Sequence, residues 1–217
     1  MSGPRMKGLL LVGPVADVTR LAQDGRISRE EIEAELGPDA RKIVADGVSI
    51  VSWYAPEVYR DLARLLMKLE GKGPRDTRYL RERGEKAGRR LVESGLYQQL
   101  DFLKRRTRDA SAGPLTKEVF EHTLRLVVSM QAALLQGCTW TVVPDPDHAD
   151  RLQIEVTDVE GLPDETAEAT CGLLTGIALH SGSTTRWTYE RPTPGRIVYR
   201  MDRDVSQVGR ERGGKRA

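Results

Sequence analysis

Long apolar runs are missing from this chain. The longest, in "GLLLVG" near the start and "GLLTGIAL" from Gly172, fall far short of the roughly 20 residues a membrane span needs, so no span is expected. Aromatic residues are scarce at 5%. The hydrophobic fraction of 39% lies below the globular average and the charged fraction of 30% slightly above it, which reads as a soluble chain with well-solvated helix faces. Only two cysteines occur, Cys138 and Cys171, in apolar company with no short-spaced partner, which speaks against a disulfide framework or a zinc knuckle and for buried, reduced thiols. Charge of one sign is lacking too. The net +2 creates no long-range field for nucleic acid, and no nucleic-acid partner is expected. The N-terminal "MSGPRMKGLLLVGPVADV" only faintly imitates a secretory signal, because its apolar run is about six residues long and no small-residue cleavage site follows. The chain reads as cytoplasmic. No phosphate-cradling glycine loop, Ser-His-Asp order or paired catalytic carboxylate stands out, and "VGPVADV" has one glycine too few for a dinucleotide fingerprint. Most common enzyme classes drop away, and a non-enzyme is expected.

What is present begins with helical spacing. In "SREEIEAEL", Ser28 stands three residues before Glu31, a capping-box pattern, and Gly37 can stop that helix. In "PEVYRDLARLLMKLEG", Val58, Leu62, Leu65, Leu66 and Leu69 repeat at three and four, while Arg60, Asp61, Arg64 and Lys68 take the other side. The next helix, "RDTRYLRERGEKAGRRLVESG", carries Leu80, Gly84, Ala87, Gly88 and Leu91 on one side. A glycine inside a helix costs about 1 kcal/mol against alanine, so such a small-residue side implies close approach of another backbone. A further amphipathic helix, "KEVFEHTLRLVVSMQAALL", points Val119, Phe120, Leu124, Val127, Val128 and Leu134 inward and ends at Gly137.

The period then changes to two. "CTWTVV" and "RLQIEVTDV" flank the turn-rich "PDPDHAD", and "TTRWTYE" and "RIVYRMD" flank "RPTPG", which predicts two β-hairpins. Between them "CGLLTGIALHSG" reads as a helix apolar on both sides, hence enclosed. Its Gly172–Gly176 edge is expected against the sheet, with Leu174, Ile177 and Ala178 facing other helices or another subunit. The order of elements predicts an α+β fold, with N-terminal helices packed on a four-stranded antiparallel sheet made of two hairpins separated by a buried helix. Residues 1–45 form a helical extension, 46–205 the α+β domain and 206–217 a disordered basic tail.

Trp53, Tyr54, Tyr59, Gly84, Tyr97, Cys171 and Gly176 match a pattern with a Trp-Tyr-Pro-like helix start, a Leu-Gly-rich helix and a Cys-x-x-x-x-Gly helix between hairpins. Over about residues 45 to 203 the chain resembles the superfamily that joins 4-vinyl reductase-type domains, haem nitric-oxide-binding domains and TRAPP transport subunits. Within it the chain is most similar to an uncharacterised paralogous group from myxobacteria. It departs from that group at Ala55-Pro56, where proline usually follows the tyrosine directly. The resemblance implies a homodimer enclosing an apolar pocket between helices and sheet, used for haem, an acyl chain or another small ligand.

Haem would need His122 as proximal ligand, but that residue shares its helical arc with Arg125 and Ser129, and the Tyr-x-Ser-x-Arg propionate clamp has no counterpart. No cofactor is expected. A Cys171–His180 nucleophile pair fails on geometry, since nine residues of helix separate them by a half turn and about 13 Å. Asp145, Asp147, His148 and Asp150 lie in a loop between strands, where turn chemistry is a simpler account than metal binding. Trp140, Trp187 and Tyr189 on strands either floor a pocket or pack on the buried helix. Gly84, Gly88, Trp140, Cys171, Gly172, Gly176 and Trp187 are therefore the candidate pocket or close-packing residues. The expected function is a dimeric regulatory or ligand-sensing module for a small apolar ligand or a protein partner. The alternative is an interaction scaffold that offers the arginine-rich helix around Arg75 to Arg90 to acidic partners, in a salt-sensitive manner.

Overall fold

A computed structural model of the chain describes residues 3–93, 117–180 and 185–202. Seven α-helices and seven strands are found among them, in an α+β arrangement. Strand β1 (Arg5–Lys7) leads through a single 3-10 turn into α1 (Val12–Gln23), α2 (Arg29–Glu35), α3 (Pro38–Asp46), β2 (Trp53–Tyr54), α4 (Pro56–Glu70) and α5 (Thr77–Glu93). After residue 117 come α6 (Lys117–Ala132), β3 (Leu135–Gln136), β4 (Thr139–Asp145), β5 (His148–Thr157), α7 (Asp164–His180), β6 (Trp187–Thr193) and β7 (Arg196–Met201). Tyr97 and the tail at 206–217 lie outside the described residues, as does the His180 side chain.

Helix α2 starts as its sequence dictates. Ser28 accepts from the Glu31 amide while the Glu31 carboxylate accepts from the Ser28 amide, closing the capping box. Gly37, expected to stop α2, instead stands before Pro38 as the N-cap of α3, and Leu36 ends α2. Proline at the first helical position suits the new start, because its missing N–H would be unpaired there anyway. Helix α4 buries Val58, Leu62, Leu65 and Leu66, the face that spacing marked. Each such side chain contributes about 1.5–3 kcal/mol of burial. Helix α1 brings Val15, Val18 and Leu21 and α3 brings Ala40 and Ile43 into the same core, so residues from the first 45 share one interior with α4.

The larger sheet runs β4-β5-β7-β6, antiparallel throughout. Cross-strand register puts Trp140, Val156 and Ile197 in one row and Val142, Ile154, Tyr199 and Tyr189 in the next, a continuous apolar face. A second, three-stranded sheet, β2-β1-β3, joins the N-terminus to the end of α6. It was not expected from the sequence. Its strands are two or three residues long, too short for alternation to register.

Helix α7 is buried at every position from Thr166 to Ile177 except Ala169 and Leu173, which are half-buried. The expected enclosure holds, but the expected partner of its glycine edge does not. Gly172 and Gly176 face α5, not the sheet: a methyl group on either would sit 2.1 Å and 2.2 Å from the Arg81 and Glu85 carbonyl oxygens. Reciprocally, a methyl on Gly84 or Gly88 would sit 2.1 Å and 2.4 Å from the Ala169 and Leu173 carbonyl oxygens. Both helices carry glycine at a spacing of four, so each lays its bare strip into the other's backbone. The sheet instead meets α7 through Thr175, whose hydroxyl accepts from the Trp187 amide at 3.2 Å.

Candidate functional site

The α5–α7 contact forms one wall of an open cavity of about 640 Å³, bordered elsewhere by α1, α4, α6 and the turn before α1. The volume is that of an ordinary small-molecule site. Leu9, Leu10, Pro14, Met130, Leu134 and Leu173 supply apolar surface. Ala169 and Leu173 are only half-buried because they border this space. On α5 the buried stripe is Leu80, Gly84, Gly88 and Val92, at a strict spacing of four. Ala87 and Leu91, expected on the buried side, turn instead toward the cavity, with Ala87 exposed and Leu91 half-buried.

The polar rim is a ring drawn from three helices. Arg83 pairs with Asp17, and its guanidinium donates to the Tyr79 hydroxyl at 3.4 Å. Tyr79 in turn donates to Glu70 at 2.9 Å, and Arg20 donates to the same carboxylate at 2.8 Å while lying 3.6 Å from Asp17. Burial acts to raise the Glu70 pKa, but the bonds from Arg20 and Tyr79 outweigh it and hold the carboxyl below its ordinary value. The ring thus stitches α1 and α4 to α5 at the mouth of the cavity.

Two further polar groups lie deeper. Thr166 is 6% exposed and its hydroxyl has no hydrogen-bond partner, and Gln131 is 5% exposed. Both line the cavity. Neither was marked by the sequence reading: Thr166 resembles any polar residue in a helix's first turn, and Gln131 interrupts an apolar run by one position. Asp17, Glu70, Tyr79 and Arg83 were also missed, since residues so far apart in the chain share no spacing signal.

Of the candidate residues marked by the sequence, Gly84 borders the cavity. Gly88, Gly172 and Gly176 make close helix packing. Trp140, Cys171 and Trp187 are not among the described residues lining the cavity. Trp140 stacks on Tyr199 at 6.1 Å between ring centroids, and Tyr189 tilts against the same ring at 6.2 Å. Trp187 is buried. Burial pushes the Cys171 thiol up to about 12 and the Cys138 thiol up to about 11, so both are protonated at neutral pH. In the β4–β5 loop, Asp145 accepts from the Asp147 amide and from Arg200, both at 2.9 Å, which is turn and strand chemistry. No group of three or more His, Cys, Asp or Glu placed to hold a metal occurs among the described residues. No described helix is long and apolar enough to cross a membrane.

The described residues lining the cavity do not fit an iron porphyrin. His122 on α6 is exposed, and no histidine or cysteine is among the described residues lining the cavity. The two tyrosines there, Tyr59 and Tyr79, are each pushed up to about 12 by burial, so neither offers a phenolate to iron at neutral pH.

No family model and no curated protein matches the sequence. Solved structures do. An unliganded Fe(II) H-NOX protein from K. algicida, as a point variant, superposes with a TM-score of 0.57 at 12% identity, covering 90% of this chain and 95% of that one. The unliganded Fe(II) H-NOX protein from K. algicida without that substitution gives 0.51 at 12% identity over 90% and 95% of the two chains. At such identity the likeness establishes the fold alone: this chain has an H-NOX-like α+β fold.

Proposed function

We propose that this chain is a non-enzymatic ligand-sensing module, similar in kind to the myxobacterial paralogues that its motifs resemble, working in the cytoplasm as a homodimer. It takes a small, mostly apolar molecule into the cavity between α1, α5, α6 and α7. The observation that carries this reading is that cavity of about 640 Å³, backed by two helices locked backbone to backbone and rimmed by a paired polar ring. A rigid wall with a polar mouth suits selective binding, since preformed sites lose little to reorganisation. Ligand binding carries over from the H-NOX proteins as part of this proposal; haem does not, because no histidine or cysteine is among the described residues lining the cavity. A non-catalytic role is supported by thiols held protonated and by rim charges already committed to one another.

The alternative, a scaffold using arginine-rich α5, is weakened by where those arginines go. Arg78 pairs with Glu82, Arg81 with Glu168, Arg83 with Asp17 and Arg89 with Glu85, which takes up four of the seven basic side chains from Arg75 to Arg90.

Native mass spectrometry of the freshly purified chain tests the proposal. It should record twice the 24.2 kDa chain mass together with a retained small molecule. A bare monomer would count against both parts, and an absorption band of a bound porphyrin would overturn the exclusion of haem.

A further inference from the structure

We infer that the ligand of this cavity is an anionic amphiphile, an apolar body carrying one acidic head group, carboxylate or phosphate, that is held by Lys86 and Arg90 at the edge of the open cavity. This rests on the ligand-binding reading above and specifies its chemistry.

The charges of the lining do not balance once their internal partners are followed. Asp17 pairs with Arg83. Glu70 accepts from Arg20 at 2.8 Å and from Tyr79 at 2.9 Å. Glu82 accepts from Arg78 at 2.8 Å. These are the three carboxylates of the described lining, and all are committed. Of its three cations only Arg83 is: Lys86 and Arg90 have no ion-pair partner among the described residues. The uncommitted charge of the lining is therefore positive, although the whole chain is near balance at +2.

Position adds to charge. Lys86 and Arg90 stand four residues apart on α5, which places them on one face of the helix about one turn from each other, and both are exposed. Long cationic side chains lay their stems along apolar surface and keep their heads in water, so a head group held there stays hydrated. The rest of the lining includes Leu10, Ala87, Leu91, Leu134 and Leu173. An amphiphile that leaves its acidic end at Lys86 and Arg90 and buries its tail against these side chains disturbs no internal pair. A cationic head has no such place, since each lining carboxylate would have to give up a partner. A neutral head gains nothing from either cation.

The test uses four ten-carbon probes with the same tail: decanoate, decyl phosphate, 1-decanol and decylammonium, titrated calorimetrically at low ionic strength into the full chain stripped of endogenous ligand. At least one acid should bind about tenfold more tightly than 1-decanol and decylammonium, and the tighter of the two acids identifies the head group. One exposed ion pair is worth about a two- to fivefold change in affinity. Lys86→Gln and Arg90→Gln should each weaken the acid by that factor and together by about tenfold, while 1-decanol binds as before. Added salt should likewise weaken the acid alone. Thermal melts of the variants check that they fold. A molecule retained through purification should also be acidic. Binding of 1-decanol or decylammonium as tight as that of both acids, acid binding that the double variant leaves unchanged, or a retained molecule without an acidic group overturns this inference while leaving a ligand-binding cavity in place. If no probe binds and native mass spectrometry finds no retained molecule, the ligand-binding reading falls and this inference falls with it.

Discussion

At the scale of single residues, the four glycines shared by α5 and α7 matter because of the oxygen atoms opposite them. A methyl at Gly84 or Gly172 would overlap a carbonyl of the facing helix, and a helix backbone cannot yield as a side-chain tip can. Gly84→Ala and Gly172→Ala should each cost about 1–3 kcal/mol or more, the usual range for overpacking. Gly195 in the β6–β7 turn is the control, since an added methyl there would lie 3.5 Å from the nearest atom, a Glu160 side-chain oxygen. Gly195→Ala should stay within about 0.5 kcal/mol of the parent chain. Chemical denaturation of the three variants measures all of these. The thiols make a second prediction at this scale. With Cys171 buried and pushed up to about 12, and Cys138 half-buried and pushed up to about 11, a thiol reagent at neutral pH should label the native chain slowly. Two thiols should react at once on unfolding. Rapid labelling of one thiol in the native state would show that Cys171 or Cys138 is more open than this packing allows.

At the scale of elements, helices differ in what anchors them. Helix α2 buries no residue and depends on its Ser28–Glu31 capping box, together with surface pairs such as Arg29–Glu33. Ser28→Ala should weaken it by about 1 kcal/mol. Because α2 contributes so little to the core, the loss should appear as faster amide hydrogen exchange within 29–35 and hardly move the global melting midpoint. Helix α7 is the opposite case. It is held by α5 through backbone contact, by Arg81–Glu168 at 2.5 Å across the same interface, and by Thr175 to the sheet. The identity of these helices was legible from spacing in the sequence: the buried side of α4 reads directly from Val58, Leu62, Leu65 and Leu66. The partner of a helix was not legible. A glycine strip announces that some backbone approaches, yet a sheet and a second helix satisfy it equally, and only the pairing of two strips at the same spacing distinguishes them.

At the scale of the whole molecule, stability depends on pH through groups whose acidity folding changes. For Glu70 and Asp145, burial acts to raise the pKa, but hydrogen bonds from Arg20 and Tyr79 in one case and from the Asp147 amide and Arg200 in the other bring it below the ordinary value. A depressed carboxyl pKa means the unfolded chain takes up protons first as pH falls. This stability is complete above the unfolded value of about 4 and is lost below it. On the alkaline side Cys171 and Tyr59, both raised to about 12 by burial, act in the reverse sense. Their contribution is complete below their unfolded values of roughly 8.5 and 10 and is lost as pH rises toward 12. Thermal melts across pH should therefore show a plateau near neutrality that falls off on both sides. Asp145→Asn should blunt the acid limb, and a chain whose melting midpoint rose on acidification below about 4 would contradict these assignments.

Local pattern by itself marked the helices α2, α4, α5, α6 and α7, the α4 face, the capping box and the enclosure of the helix around Leu174, because each depends on periodicity or on contacts within a few positions, whereas α1 and α3 carried no pattern that was marked. Short strands such as β2 and β3 escaped it, since two residues cannot display an alternation. Gly37 was misplaced by one element, because a glycine between two helices can end one or begin the next. The cavity was settled only by tertiary structure. Its rim draws on residues from Asp17 to Arg83, and the free energy that makes such a site arises from which distant side chains pair, a choice that no local spacing records.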